Sequence, residues 1–522
     1  EPGAGGGGGR WRNGPLQDIA LEQMAAMKKF HELDIPHSGF YAEGAGATFF
    51  GEYKKEELYK VVSFGERHGF KVFSWQFPNM TQELAQELLP ECPKEELPIT
   101  RNKNDEEEKL PVYIDFSHPR AKELLAAQWK DRMDAGIRGS MVDFGDVVPD
   151  EAVFYDGRRG DEMHNAYAYQ YAKNYRELFE QKYGDDHVLY TRGAAPGSQH
   201  FACQFGGDQL TSFQGLKYAI AGGLSAAASG FPFWGVDAGG YDGFPDQETY
   251  LRWTEYAAFC PLMRFHGTEP REPWEYDAFT VKVYRYYAWL RENLRPYIVS
   301  VAAEAHKLGI PMMRPLAMIY PEDQEATKVW DEYLFGENLL VAPVSDETEE
   351  REIYFPKGRW ISLWNLNDEI SGPVQRSVEV PIDKIPVYIR EGSFLPLRLN
   401  ESLKLGESMS ESETEMILAV VPQNDSIVKE TLYERSGAKT CCGMEKNGET
   451  IQLQISGRTA ELYVMLAGIH WKNTEAIVNG RTLTKVTARE GLYFTEGYLE
   501  LEEGILVKIN PSAESVHTIQ KK

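Results

Sequence analysis

The chain has 522 residues, 42% of them hydrophobic and 26% charged, and its 55 lysines and arginines against 80 aspartates and glutamates give a net charge of −25. A chain of this length predicts about three domains, and its apolar content excludes an intrinsically disordered protein. The negative charge repels phosphate backbones and anionic lipids, so we expect neither nucleic acid nor a membrane as a partner.

The first 14 residues are a glycine-rich lead-in, and residues 15–309 alternate short apolar strands with longer amphipathic helices. This alternation predicts βαβ units around a parallel sheet. The expected helices are residues 16–33, 54–69, 119–135, 160–183, 212–228, 246–259 and 278–307. The expected strands are residues 38–43, 71–76, 138–144, 187–192, 201–206, 230–237 and 261–266.

Seven strands in a segment of this size fit an α/β fold of the (β/α)8 TIM-barrel type, whose first strand lies in the glycine-rich lead-in or is missing. An open doubly wound sheet is the alternative, but no G-x-G-x-x-G sequence follows the early strands, which disfavours it. Residues 77–112 interrupt the barrel as an insertion. We expect its acidic, lysine-rich part, residues 89–109, to be a solvated segment at the barrel mouth rather than a binding module.

Beyond residue 310 the apolar runs become short, alternate with polar residues and are separated by turn residues, which is typical of all-β sandwiches. A polar segment at residues 401–414 divides this region into two parts. We therefore expect two small all-β sandwich domains after the barrel, a proximal one at residues 310–400 and a distal one at residues 401–522.

The five cysteines form no C-x-x-C pair and have no histidines at zinc-finger spacing, so we expect no metal site. Their odd number and irregular spacing favour reduced thiols and a cytoplasmic setting. No apolar run reaches the ~20 residues that span a bilayer. The oligomeric state stays open at this point, and a homo-oligomer is compatible with the sequence.

Polar side chains stand at the carboxyl-terminal ends of the expected strands, which in a parallel barrel gather around one mouth. These residues are Glu43, Trp75, Gln76, Asp143, Arg192, Asp208, Asp237 and His266. Each also has an ordinary structural explanation: a loop cap for Asp143, turn aspartates for Asp208 and Asp237, ion pairs for Arg192 and Glu43, and a core position for His266. Their occurrence on consecutive strands favours a shared site.

Most glycoside hydrolases use two carboxyl groups that lie on either side of the scissile glycosidic bond as their catalytic residues. At a separation of ~5–5.5 Å, one acts as nucleophile and the other as general acid/base, and the reaction retains the anomeric configuration. Sequence signatures of other chemistries are absent, since the chain has no P-loop, no G-x-S-x-G elbow and no H-E-x-x-H motif.

Five segments, in this order, resemble the signatures of glycoside hydrolase family 31, which includes α-glucosidases, α-xylosidases, α-galactosidases and sulfoquinovosidases. They are MVDFGDVVPDEAVFYDGRRGDEMHN (141–165), YTRGAAPGSQHFACQFGGDQ (190–209), SGFPFWGVDAGGYDG (229–243), LMRFHGTEPREPWEYD (262–277) and YLFGENLLVAPV (333–344). The resemblance covers residues 15–400 and is less clear beyond.

The resemblance implies that Asp143 is the nucleophile and Asp208 the general acid/base, with Asp208 protonated in the resting enzyme. It also implies that Arg192, Asp237 and His266 bind hydroxyl groups of the sugar. Glu43 aligns with a family aspartate that binds the outer hydroxyl groups of that sugar. Trp75 matches an aromatic residue that lines the sugar site, and Phe205 stands where a tryptophan is common. The expected function is a retaining, exo-acting α-glycosidase without a cofactor, whose partner is a small oligosaccharide or glycoside.

Two departures from the family pattern concern the sugar and the domain order. Met141 replaces a common tryptophan or lysine and is similar to the sulfoquinovosidase pattern, and the sequence YAEGAGATFF around Glu43 matches neither glucosidases nor xylosidases. A β-sandwich usually precedes the family's barrel, and we expect this chain to lack it. We favour an α-glucoside as substrate. The alternatives are α-xylosidase, α-galactosidase, sulfoquinovosidase or transglycosylase activity, or a catalytically impaired carbohydrate-binding protein.

Overall fold

A computed structural model describes residues 2–4, 16–42, 55–101, 112–410, 416–423, 427–457, 462–467, 475–489, 492, 497–501, 504–509 and 514–521. It divides into two compact units. The first unit contains residues 1–219, 233–246 and 262–277, and the second contains residues 220–232, 247–261 and 278–522. None of the helices in the described ranges combines the length and the apolar character that crossing a bilayer requires.

Eight parallel strands form the sheet of the first unit. They are β1 (Pro2–Ala4), β2 (Gly39–Tyr41), β3 (Lys71–Gln76), β4 (Gly139–Val142), β5 (Val188–Thr191), β6 (Cys203–Phe205), β7 (Trp234–Gly235) and β8 (Met263–Arg264). Each strand pairs with the next, and β1 also pairs with β8. A parallel bridge between Gly235 and Leu262 joins β7 to the start of β8 and closes the ring. The expected (β/α)8 barrel is therefore confirmed.

The seven expected strands are all present, and the eighth confirms the first of the two alternatives for the first strand. We expected it in the glycine-rich lead-in, residues 1–14, or missing, and β1 is Pro2–Ala4, within that lead-in. Three residues without an apolar pattern carry no strand signal. The α-helices in the described part of the first 308 residues are α1 (Leu16–Glu32), α2 (Lys55–Arg67), α3 (Gln82–Leu88), α4 (Ala121–Ala135), α5 (Gly160–Tyr183), α6 (Phe213–Ala228), α7 (Gln247–Ala258), α8 (Ala278–Asn293) and α9 (Arg295–Leu308).

The ring of Phe73 lies in the barrel interior between two glycines. A Cβ atom at Gly39 would lie 2.2 Å from Phe73 Cε2, and one at Gly139 would lie 2.6 Å from Phe73 Cδ1. Alternate strand residues point inward, because the side-chain period of a strand is two. The same interior cluster contains four further buried residues, Tyr41, Met141, Tyr190 and Phe205.

The insertion near residues 77–112 is partly folded, with apolar residues of the expected solvated segment buried and its charged residues Glu91, Lys94, Glu95 and Glu96 exposed. Strand Asn79–Met80 pairs with Val112–Tyr113, and helix α3 follows the first of these strands. Leu97 and Ile99 are buried, and Ile99 forms a bridge with Ile114. These apolar contacts hold residues 89–101 against the protein, whereas residues 102–111 lie outside the described part of the chain.

In its described residues the second unit contains most of helix α6, helices α7–α9 and three six-stranded sheets. The single helix expected at residues 278–307 is two helices, because Pro296 lies in the first turn of α9 and lacks the N–H that would continue α8. The first sheet has the order Met313–Pro315, Tyr333–Phe335, Leu339–Val341, Val387–Arg390, Glu350–Ser362 and Glu369–Glu379. A short helix, Leu316–Ile319, follows its first strand.

The other two sheets enclose one apolar core that both contribute to, so they form a β-sandwich. One sheet has the order Ser393–Leu397, Ile417–Val421, Leu462–Ala467, Gly504–Ile509, Gly497–Leu501 and Thr484–Val486. The second has the order Ile427–Tyr433, Lys439–Asn447, Thr450–Ser456, Glu514–Lys521, Ala476–Val478 and Arg481–Thr482. The expected all-β region after the barrel is thus confirmed.

Candidate active site

Asp143 stands at the mouth because it follows strand β4 in the inward phase. Met141 points into the barrel, and two residues later Asp143 takes the same direction one step beyond the last residue of the strand. Its backbone N–H donates to the Gln76 carbonyl oxygen at 2.7 Å, which fixes the end of β4 against the end of β3. The side chain of Asp143 is 5% exposed. A carboxylate buried to this extent loses its hydration and therefore needs hydrogen-bond donors or a positive charge from the protein.

Three groups supply those donors or charges to Asp143. The indole Nε1 of Trp75 donates to Oδ2 at 2.9 Å, and the N–H of Phe144 donates to Oδ1 at 2.9 Å. Arg192 Nε lies 3.5 Å from Oδ1. Burial raises the pKa of Asp143 above its ordinary value, while Arg192, Trp75 and the Phe144 N–H counteract that rise. The three groups stabilise the ionised form, which is the form a nucleophile requires.

Arg192 reaches Asp208 as well as Asp143. Its Nη1 lies 3.9 Å from Asp208 Oδ2, and its Nε lies 3.4 Å from Asp146 Oδ1. The guanidinium also lies over the ring of Phe144, 4.1 Å from the ring centroid. In contrast to Asp143, the Asp208 side chain is 45% exposed. The structure therefore brings the two predicted carboxylates to one arginine, with one of them buried and the other open to solvent.

Asp237 is fully buried after strand β7 and pairs with Arg264. Burial raises the pKa of Asp237 to about 7, the positive charge of Arg264 opposes the rise, and the charges of Asp208 and Asp143 add to it. Because the charges of Asp143 and Asp208 raise the pKa of Asp237, the three carboxylates interact electrostatically and belong to one site. The main-chain N–H of Asp237 donates to Gln209 Oε1 at 3.3 Å, which ties the end of β7 to the loop after β6.

The loop that follows Asp237 is held by a buried arginine. Arg271 donates through Nε and Nη2 to the Gly240 carbonyl oxygen at 3.0 and 2.8 Å, and through Nη2 to the Gly243 carbonyl oxygen at 2.6 Å. Gly240 has φ +80, and a Cβ there would lie 2.5 Å from Thr211 Cα. A glycine is therefore required where this loop crosses the loop after β6.

The other predicted site residues occupy distinct places. His266 is buried against the rings of Tyr41 and Tyr241, with centroid distances of 5.0 and 5.5 Å. Phe205 is buried in the interior cluster, where Arg264 lies 4.7 Å from its ring centroid. It therefore underlies Arg264 rather than opening to the mouth. Glu43 lies outside the residues that the structure describes.

Gln76 does not join this group, although it ends a strand. Its Oε1 accepts a 2.7 Å hydrogen bond from Arg132 Nη1 of helix α4, so the side chain serves the contact between strand and helix. The main chain of Gln76 still contributes, since its carbonyl oxygen accepts from Asp143. A polar strand end is therefore insufficient to predict an inward side chain, because the strand period decides the direction.

Arg264 is the main residue that the sequence analysis missed. It lies between the rings of Tyr190 and Phe205, each 4.7 Å from its guanidinium, and its Nη1 contacts Met141 Sδ at 3.2 Å. The sequence feature that could have identified it is an arginine inside the apolar run PLMRFH. A guanidinium buried in such a strand requires a partner of opposite charge. The sequence does not reveal that Asp237 is the partner.

Residues 18–301 match the TIM-barrel domain of glycosyl hydrolases family 31, and residues 309–395 match the C-terminal domain of that family. An isomaltosyltransferase from Sporosarcina globispora is 32% identical over 430 residues, which are 77% of this chain and 39% of that protein. An alpha-xylosidase from Emericella nidulans is 32% identical over 294 residues, which are 54% of this chain and 38% of that protein. The chain spans about two fifths of the length of these curated relatives.

The fold is also similar to that of a cycloalternan-forming enzyme from Listeria monocytogenes, solved in complex with a pentasaccharide substrate. The TM-score is 0.86 at 21% sequence identity, and the match covers 96% of this chain and 53% of that chain. At this level of identity the similarity shows the fold alone.

Proposed function

The chain belongs to glycosyl hydrolases family 31, and we propose that it is a retaining, exo-acting α-glycosidase with Asp143 as nucleophile and Asp208 as general acid/base. The observation that carries this proposal is the difference between the two carboxylates around Arg192. Asp143 is buried and receives hydrogen bonds at both oxygens, whereas Asp208 is 45% exposed. A nucleophile gains from fixed orientation, and an acid/base needs access to the leaving group and to water.

The proposed reaction has two steps. In the first, an Asp143 oxygen forms a bond to the anomeric carbon from the face opposite the leaving oxygen, and Asp208 donates its proton to that oxygen as the glycosidic bond breaks. In the second, the Asp208 carboxylate takes a proton from water, whose oxygen attacks the anomeric carbon and releases Asp143. Two inversions at the same carbon leave the product in the α configuration.

The charges around the anomeric carbon support this assignment. An oxocarbenium-like transition state is positive, and Asp143 lies next to the place where that charge develops. Arg192 moderates the repulsion among Asp143, Asp146 and Asp208, from each of which it lies less than 4 Å. Asp237 and His266 are buried polar groups at the same mouth, and we assign them, together with Arg192, to the hydroxyl groups of the bound sugar.

We propose an α-glucoside as the substrate. Two relatives, an isomaltosyltransferase and an alpha-xylosidase, support a donor of glucose or xylose configuration. A carbohydrate ligand is further supported by the pentasaccharide bound in a protein of the same fold. Transglycosylation is a second candidate because of the isomaltosyltransferase, and it would use the same residues with a sugar hydroxyl replacing water.

The test compares 4-nitrophenyl α-glucoside, α-galactoside, α-xyloside and α-sulfoquinovoside with wild type and with Asp143→Asn. We expect turnover of the α-glucoside to be highest and to fall by at least about 10³-fold in the variant. NMR spectra of the first-formed sugar should show the α anomer before mutarotation. A β-configured first product would contradict retention, and substantial activity of the variant would contradict the nucleophile.

A further inference from the structure

Phe244 is a large apolar residue that the barrel mouth leaves exposed. It lies in the loop after strand β7, and 49% of its surface is accessible. One face of its ring stacks on Tyr276, with centroids 4.9 Å apart and planes 23° from parallel. The Tyr276 hydroxyl donates to the Pro245 carbonyl oxygen at 2.9 Å, which fixes the supporting ring. Because Tyr276 covers one face, the accessible surface is on the opposite face and edge.

The loop that presents Phe244 is held from both sides. Arg271 Nη2 donates to the Gly243 carbonyl oxygen at 2.6 Å, and the Gly243 N–H donates to Thr268 Oγ1 at 2.9 Å. An exposed aromatic ring on a braced loop is oriented without a further loss of conformational entropy on binding. Large exposed apolar residues with fixed orientation are typical of binding surfaces.

Main-chain pairing places this loop beside Asp208. The Tyr241 N–H donates to the Gln209 carbonyl oxygen at 2.8 Å, and Leu210 forms a parallel bridge with Asp242. Asp208 precedes Leu210 by two residues and Phe244 follows Asp242 by two residues, so both lie close to the bridge that joins their loops. Leu210 of this bridged pair is itself an exposed apolar residue.

Since Asp208 protonates the leaving oxygen in the proposed reaction, the departing part of the substrate lies on the Asp208 side of the scissile bond. We infer that Phe244 determines specificity on that side by stacking its free face on the leaving sugar. This inference rests on the proposed function. Pyranose rings present apolar C–H faces that an aromatic ring can cover, so Phe244 favours substrates whose leaving group is a sugar.

The experiment compares substrates with and without a leaving sugar. α-Glucosyl fluoride and α-xylosyl fluoride release fluoride ion and cannot use the Phe244 surface, whereas maltose and isomaltose release glucose. Phe244→Ala is expected to lower kcat/KM by about 5- to 10-fold for the better disaccharide, mainly through KM. The value for the fluoride should stay within about twofold of wild type. Phe244→Trp should retain the wild-type kcat/KM for the disaccharide, and Phe244→Leu should lower it by as much as Phe244→Ala does.

Tyr59→Ala is the matched control, because Tyr59 is an exposed aromatic residue on helix α2 of the same unit. Its kcat/KM should equal that of the wild type for both the fluoride and the disaccharide. Equal loss on fluoride and disaccharide, or no loss on either, in Phe244→Ala would overturn the inference while the proposed function stands. If the wild type hydrolysed neither fluoride nor disaccharide, the proposed function would fail and the inference with it.

Discussion

Arg264 and Asp237 form an ion pair inside the barrel mouth, with side chains that are 6% and 0% exposed. Strand β8 supplies the arginine and the end of β7 supplies the carboxylate, so the pair also joins the two strands that close the ring. The rings of Tyr190 and Phe205 hold the guanidinium in place. A buried carboxylate in this setting depends on its partner for the charged form.

Replacing Arg264 by methionine should therefore destabilise the protein in a pH-dependent way. The folded-state pKa of Asp237 is already raised to about 7, and loss of Arg264 raises it further. A raised carboxyl pKa contributes stability in acid that disappears as the pH rises through the folded-state value. We expect Arg264→Met to cost about 3 kcal/mol at pH 8 and clearly less at pH 5. Thermal and urea unfolding at the two pH values provide the measurement.

The double variant Arg264→Met with Asp237→Asn serves as its control. It removes the titrating group, so the difference in stability between pH 8 and pH 5 that Arg264→Met introduces should vanish. A single variant that loses the same stability at both pH values would show that packing, rather than charge, is the role of Arg264.

Trp75 controls the ionisation of Asp143 through its indole N–H, which is 2.9 Å from Oδ2. Trp75→Phe keeps an aromatic ring and removes a donor that lowers the pKa of Asp143. The nucleophile must be ionised, so the acid limb of kcat/KM should move to higher pH in the variant. Activity at pH 5 should consequently fall by a larger factor than activity at pH 7.

Tyr113→Phe tests whether that change is specific, because the Tyr113 hydroxyl donates to the Val147 carbonyl oxygen rather than to Asp143. Its pH profile should follow the wild type. An unchanged acid limb in Trp75→Phe would mean that the hydrogen bond does not tune the group that limits catalysis in acid.

Phe144 follows the nucleophile with a positive backbone dihedral, φ 56. This conformation costs a residue with a Cβ roughly 1–2 kcal/mol and costs glycine almost nothing. We expect Phe144→Gly to be more stable than Phe144→Ala by about 1 kcal/mol in thermal unfolding, although glycine normally lowers stability. Phe154, a buried loop residue outside the set with positive φ, gives the control pair and should show the reverse order. An alanine variant at 144 as stable as the glycine variant would exclude this strain.

Much of the barrel and its site could be predicted because strand ends are a local signal. Asp143 follows an apolar strand directly, and the two-residue period then carries it to the mouth. The same period explains Arg192, two residues after the inward Tyr190. The family resemblance, rather than the spacing, distinguishes a nucleophile from an acid/base, because both are aspartates at the ends of similar strands.

What the sequence did not predict depends on partners far away in the chain. The exact position of strand β1 within the lead-in is set by its pairing with β8 and β2, since Pro2–Ala4 has no apolar pattern of its own. Ile99 is buried in a charged segment because it pairs with Ile114. The burial of Arg264 is explained by its ion pair with Asp237, and the orientation of Phe244 by its stacking on Tyr276. In each case the decisive contact is tertiary, and local propensity gives it no signal.

The central claim, that Asp143 attacks and Asp208 transfers the proton, is tested most directly by azide rescue of two variants on 4-nitrophenyl α-glucoside. In Asp143→Ala, azide should displace nitrophenolate from the face that the nucleophile occupied and give the β-glucosyl azide. In Asp208→Ala, Asp143 still forms the covalent intermediate, and azide should attack it from the other face and give the α-glucosyl azide. NMR spectra distinguish the two anomers. Opposite anomers in this order are the predicted result, and the same anomer from both variants, or the reverse order, would contradict the account.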